Sequence, residues 1–174
     1  MILVSACLLG IRSRYDGQTN AKSELIPLCQ RGLAIPVCPE QLGGLPTPRP
    51  PAEIQGGDGA AVLAGQAVVV NAAGRDVTSA FVAGAKEALK IAILYGADTA
   101  ILKARSPSCG YGSIYDGTFS HQLQNGDGVT TAILRTHGLS VYTEEQVTPE
   151  LLRRLVYDNS NCPALRGPRQ PTGG

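Results

Sequence analysis

Four short apolar runs punctuate this chain, and three of them end at or just before a cysteine. Ile2–Ala6 leads into Cys7, Ala34–Val37 into Cys38, and Thr99–Lys103 into the segment Arg-Ser-Pro-Ser-Cys109. Leu139–Tyr142 is the fourth run. Runs of this length without polar alternation read as strands buried on both faces, the habit of parallel sheets. Between them lies helical patterning. Ser79–Tyr95 places Phe81, Ala85, Leu89 and Ala92 on one face, with Asp76 or Thr78 to cap it and Gly96 to end it. Val129–His137 reads as another helix, and Thr148-Pro149-Glu150 has the cap, proline and acid that open a last one.

Strands alternating with helices predict an α/β fold, a mostly parallel, Rossmann-like sheet of about four strands covered by helices. The 174 residues suit one domain, expected over 1–160, with a poorly ordered tail over 161–174. Lys22–Arg31 has partial helical character broken by Pro27. GGLPTPRPPAEI is too rich in glycine and proline for regular structure. Gly56–Gly74 suggests a small hairpin with Ala67–Val70 as one strand.

In open parallel sheets ligands bind beyond the carboxyl ends of the strands, where strand order reverses. Cys7, Cys38 and Cys109 all sit at such ends, so residues far apart in sequence converge on one crevice. Cys29 and Cys162 lack that placement and read as packed or tolerated thiols. The start of the chain lacks the basic opening of a signal peptide, and no run approaches a membrane span. A cytoplasmic protein is expected, where thiols stay reduced and five cysteines speak for metal, catalysis or packing ahead of disulfides.

Thiolate-only coordination selects zinc, copper(I) or iron–sulfur clusters. Three sulfurs with no obvious fourth ligand would leave a cubane cluster one open position, as a catalytic metal site needs. Neither His121 nor His137 joins the strand-end set. Glu40, two residues past Cys38, is a candidate general acid or base, and Ser106 and Ser108 flank Pro107 just before Cys109. Arg14, Tyr15, Arg49 and Lys103 are candidate substrate contacts around the same opening; Arg49 is held in a proline-stiffened loop suited to an anion. The net charge of +1 argues against a nucleic-acid polymer as partner. Neither a G-x-G-x-x-G unit nor a phosphate loop is present.

The segments SACLLG and RYDG, CPEQLGGLPTPRPPAEI, GRDVTSAFVAGA, ILKARSPSCGYGSIYDGTF and GDGVTTAIL together resemble the thiouracil desulfidase family, from about Met1 to Glu145. The resemblance implies a [4Fe–4S] cluster on three cysteines, corresponding to Cys7, Cys38 and Cys109, with the fourth iron free of protein ligands. It implies removal of sulfur, as sulfide, from a small thiolated pyrimidine such as thiouracil or thiouridine monophosphate. Glu40 and one of Ser106 and Ser108 would then be catalytic. Two other readings use the same residues: a non-catalytic zinc- or sulfur-binding module, and a thiol-dependent hydrolase. The latter lacks a histidine partner for its nucleophile.

Overall fold

The structure, a computed structural model, describes residues 1–160, with side chains through Tyr157. In chain order the strands and helices are β1 (Ile2–Ser5), α1 (Ile26–Gln30), β2 (Ala34–Val37), α2 (Pro39–Leu42), β3 (Ala52–Gln55), α3 (Gly59–Leu63), β4 (Val68–Asn71), α4 (Thr78–Leu94), β5 (Thr99–Leu102), β6 (Ser113–Tyr115), β7 (Leu123–Asn125), α5 (Val129–Thr136), β8 (Ser140–Thr143) and α6 (Pro149–Ser160). The expected tail and Cys162 lie outside the described residues.

The four apolar runs pair as one parallel sheet in the order β2-β1-β5-β8. Their alternating side chains feed two cores. Leu3, Ala100, Leu102 and Val141 pack with Leu89 and Ala92 of α4 and Leu134 of α5. Ile2, Val4 and Ile101 pack on the other face with Leu25, Leu28 of α1 and Leu155 of α6. The chain leaves β1 for β2 on one side and later returns to lay β5 on the other. The sheet therefore reverses direction at β1, and the carboxyl ends of β2, β1 and β5 flank that switch point.

α4 begins and ends as its sequence dictates. Asp76 Oδ1 accepts from the Thr78 amide at 2.8 Å, while Thr78 opens the helix and its own Oγ1 accepts from the Val69 amide. Gly96, at φ +60°, ends it, and the Ala97 amide reaches back to the Ala92 carbonyl. Thr148 Oγ1 caps α6 by accepting from the Leu151 amide.

Four segments differ from the sequence expectation. The helix sought over Lys22–Arg31 is a 3₁₀ turn, Ser23–Leu25, followed by α1; Pro27 sits in α1's first turn, where its missing N–H does no harm. The proline-rich stretch does become regular at its end, because Ala52–Gln55 pairs antiparallel with β4. β4 runs one residue later than Ala67–Val70, and the excursion between the two strands holds α3, capped by Asp58. This hairpin and α3 bury Ile54, Val62 and Val69 against Phe81 and Ala85 of α4 and Ile114 of β6. β6 and β7 form a small antiparallel pair within what reads as loop.

One contact positions the next site. α2 is a single turn lying across α4, with Gly43 and Gly84 at the crossing. A Cβ on Gly84 would sit 2.7 Å from the Pro39 carbonyl carbon and overlap its oxygen; a Cβ on Gly43 would overlap the Ala80 carbonyl. Only glycine permits this approach. Among the described residues no helix is long and apolar enough to cross a membrane.

Candidate active site at the sheet's switch point

Cys7 lies in the 3₁₀ turn that follows β1, closed by Gly10 at φ +86°. Cys38 directly follows β2 and precedes α2; its thiol donates to the Ser13 carbonyl at 3.5 Å. Cys109 follows β5 on a loop fastened from both sides. Ser106 Oγ accepts from the Ser108 and Cys109 amides, each at 3.1 Å, and Thr131 Oγ1 donates to the Cys109 carbonyl at 2.9 Å. The first amides of α5 are satisfied by the same loop: Val129 N by Pro107 O, Thr130 N and Thr131 N by Ser108 O. Gly128 packs against Ser106 and Ser108 so closely that a Cβ would collide with their backbone. The GDGVTT segment is thus the seat of the Cys109 loop.

The three sulfurs share one local field. Burial pushes the Cys7 thiol up to about 11; Cys38 adds to the rise, Lys103 and Arg14 oppose it, and Glu144 reinforces it. Burial likewise drives Cys109 far above the ordinary thiol range. A side-chain hydrogen bond from Ser5 opposes that rise, and Cys38, Glu40 and Cys7 add to it. Cys29 is raised by burial alone and feels none of them.

Cys7 and Cys109, buried and raised by desolvation, together with the half-buried Cys38, form a donor set of thiols that a cationic, sulfur-seeking group would convert to thiolates. A single tetrahedral zinc would draw its sulfurs to about 3.8 Å from one another. Among the described residues no group of three or more His, Cys, Asp or Glu is gathered closely enough for one metal ion.

Around the cysteines the polar residues are already organised. Glu40, on α2, accepts from Arg49 Nε at 2.7 Å through Oε2, and its side chain is 17% exposed against 5% for Arg49. The rest of the Arg49 guanidinium donates to Pro46 O, Thr47 Oγ1 and Ser13 O. Ser13 O therefore takes both Arg49 and the Cys38 thiol. Arg49 is buried and positions Glu40, its guanidinium held by the loop carbonyl of Pro46 and by Ser13 O. Lys103 Nζ donates to Glu144 Oε1 at 2.6 Å and to Ala104 O at 3.1 Å, while Ala104 N donates to Glu144 Oε2 at 2.7 Å. Arg14 forks onto Asp16 and lies 5.7 Å over the exposed Tyr15 ring. A cavity of about 110 Å³ opens beside Glu40 and Arg49, lined also by Asn71, Arg75, Val77 and Phe81; none of the cysteines lines it.

A family model described as 2-thiouracil desulfurase matches residues 2–146. This chain belongs to the 2-thiouracil desulfurase family. It is 48% identical over 147 residues to the uncharacterized protein YbbK of Bacillus subtilis (strain 168), covering 84% of this chain and 97% of that one. It is 47% identical to a solved structure named [4Fe–4S]-dependent thiouracil desulfidase TudS, with a TM-score of 0.78, covering 90% of this chain and 97% of the other.

For a desulfurase of this family, the structure separates the two serines that look equivalent in sequence. Ser108 is 1% exposed and its hydroxyl is paired with Thr130 Oγ1 at 2.9 Å. Ser106 is half-buried and accepts twice through Oγ, so its own proton remains available. Two polar residues of the site escape the sequence reading. Glu144 stands at the end of the fourth strand, and the strand-end rule that singles out the cysteines would have found it. Ser5 sits inside the first apolar run, where nothing local distinguishes it from core.

Proposed function

We propose that this chain removes sulfur from thiolated uracils, with a [4Fe–4S] cluster held by Cys7, Cys38 and Cys109. The observation that carries the reading is the convergence of three mutually interacting thiols from three neighbouring parallel strands. Kinship to a protein named [4Fe–4S]-dependent thiouracil desulfidase supports the choice of cofactor. When bound, the cluster supplies an iron without a protein ligand, a soft Lewis acid matched to a thiocarbonyl sulfur.

The protein's residues supply the rest. Glu40 Oε2 is tethered by Arg49, which leaves the other oxygen to take a proton from attacking water and pass it to the departing sulfur. Ser106 donates its hydroxyl proton toward the charge that develops on the ring as water adds. Arg14 and Tyr15 border the opening and orient the pyrimidine, while the Lys103–Glu144 pair keeps the neighbourhood of Cys7 near neutral. The carbon–sulfur bond is replaced by carbon–oxygen from water. Uracil compound and sulfide leave in equal amounts, with no net electron transfer. A small-molecule substrate, rather than a nucleic-acid polymer, accords with the near-neutral net charge.

Turnover of anaerobically reconstituted protein on thiouracil and on thiouridine monophosphate tests this. Wild type should release one sulfide per uracil product. Glu40→Gln should keep its iron and lose at least about 10²-fold in turnover, the usual contribution of a general base. Wild-type turnover by that variant removes Glu40 from the mechanism. A colourless wild type with stoichiometric zinc overturns the whole reading.

A further inference from the structure

The cavity beside Glu40 and Arg49 presents donors that the protein itself leaves unused. Asn71, the last residue of β4, is 8% exposed and lines it. Its Oδ1 accepts from the Ala73 and Arg75 amides, each at 3.0 Å, which locks the turn after β4 and fixes which end of the amide is oxygen. The other end, Nδ2, finds no partner among the described residues, although no fully enclosed polar side-chain atom there lacks one. Nδ2 therefore keeps an opening, and the cavity that Asn71 lines supplies it. Arg75, on the turn that Asn71 locks, also lines the cavity, and its guanidinium pairs with no group among the described residues. Glu40 is the carboxylate on this wall, and Arg49 already matches it. What remains is a positive charge and a buried N–H₂ against the apolar faces of Leu45, Val77 and Phe81, where attraction for an anion is screened less than in water.

We propose that this cavity is the phosphate subsite for a thiolated pyrimidine nucleotide, with Asn71 and Arg75 as its donors. The inference rests on the desulfurase reading above and narrows its substrate class. At about 110 Å³ the cavity is well below the roughly 300 Å³ at which pockets begin to hold a whole small-molecule ligand, so it takes one group of a larger one. The cysteines do not line it, yet Cys38 is only one carbonyl away. Ser13 O accepts from Arg49 of the cavity wall at 3.1 Å and from the Cys38 thiol at 3.5 Å. A pyrimidine that offers its sulfur to the cysteines therefore needs a spacer before an anion can reach past Glu40 and Arg49. A ribose 5′-monophosphate supplies both spacer and anion, and its terminal oxygens suit the fork of a guanidinium. A free base would leave both donors unused.

Titration calorimetry of the anaerobically reconstituted protein with uridine monophosphate and with uridine tests this, in wild type, Arg75→Ala, Asn71→Asp and Lys86→Ala. Asn71→Asp keeps the oxygen that locks the turn and replaces the N–H₂ by a second acceptor. Lys86→Ala removes an equal charge from the exposed side of α4, outside the cavity. Wild type should prefer the monophosphate, and inorganic phosphate should compete with it but not with uridine. Arg75→Ala and Asn71→Asp should each weaken monophosphate binding by roughly 10- to 100-fold, the worth of a hydrogen bond to a charged group, and Lys86→Ala should keep the wild-type preference. The ratio of kcat/KM for thiouridine monophosphate to that for thiouridine should fall by the same factor in the two cavity variants. A wild type that binds both ligands equally overturns the inference, as does a preference that survives both cavity variants or falls as far in Lys86→Ala. Preference for the monophosphate without desulfurisation of either substrate keeps the nucleotide site and sinks the functional reading. Equal kcat/KM for the two substrates keeps the function and overturns the subsite.

Discussion

Replacing Gly84 by alanine should destabilise this protein, although the same exchange in an ordinary helix interior stabilises by about 1 kcal/mol. Gly84 is the point where α4 meets α2. An added Cβ would lie 2.7 Å from the Pro39 carbonyl carbon, short of the roughly 3.4 Å of ordinary contact by about 0.7 Å, and 3.0 Å from Gly43 N. Both obstacles are backbone, so no side chain can rotate away and α2 itself must move. Overpacking of that kind costs about 3 kcal/mol, which outweighs the helix-propensity gain and leaves a net loss of about 2 kcal/mol. For a chain of this size that corresponds to a melting temperature lower by roughly 4–8 °C. Thermal unfolding by circular dichroism of the iron-free protein measures it, with Ala83→Gly as the control. Ala83 is the exposed neighbour on the same helix, and its replacement should cost about 1 kcal/mol in the opposite chemical sense. Because α2 begins directly after Cys38 and carries Glu40, Gly84→Ala should also lower iron uptake. A Gly84→Ala protein as stable as wild type, or more so, would show that α2 is not seated on α4 through this glycine.

Other consequences follow from the same structure. Cys29→Ser should bind as much iron as wild type, since Cys29 feels none of the other thiols; lost iron would place it in the site. Glu144→Gln should lower stability by about 1–3 kcal/mol in denaturant titration, because Lys103 loses its partner beside a carboxylate side chain only 4% exposed; an unchanged midpoint would argue against the pair. Asp76 is held below the ordinary carboxylate range by the hydroxyl and amide of Thr78. Its contribution is therefore complete above the unfolded value near pH 4 and fades as pH falls toward the folded one. Asp76→Asn should flatten the loss of melting temperature below about pH 4, and an acid limb identical to wild type would contradict it.

How much of this was legible depended on whether a signal was local. The central strands were readable because strands covered on both faces carry unbroken apolar runs, as in Ile2–Val4 and Ala100–Leu102. α4 was readable because Asp76 and Gly96 mark its ends. β6 and β7, three residues each with polar positions exposed, carry no periodicity long enough to notice. α2 owes its existence to the close approach at Gly43 and Gly84, which no window along the chain contains. The strand-end rule singles out the three cysteines, and Glu144, directly after β8, satisfies the same rule but carries no sulfur to mark it. Arg49 reads as an anion contact in a proline-stiffened loop; its pairing with Glu40, nine residues earlier, is visible only in the fold. Ser106 and Ser108 are indistinguishable in SPSC; only the start of α5, which brings Thr130 to Ser108, separates them. Ser5 depends on β5 arriving beside β1, a neighbour nearly a hundred residues away.

The most direct test of the account is the iron and acid-labile sulfide content of anaerobically reconstituted wild type and of Cys7→Ser, Cys38→Ser and Cys109→Ser, read beside Mössbauer spectra. Wild type should hold one [4Fe–4S] cluster per chain with one iron distinct from the other three, and that iron alone should respond to added thiouracil. Each serine variant should lose or degrade the cluster. An intact, wild-type cluster in any one of the three would contradict the shared site at the sheet's switch point.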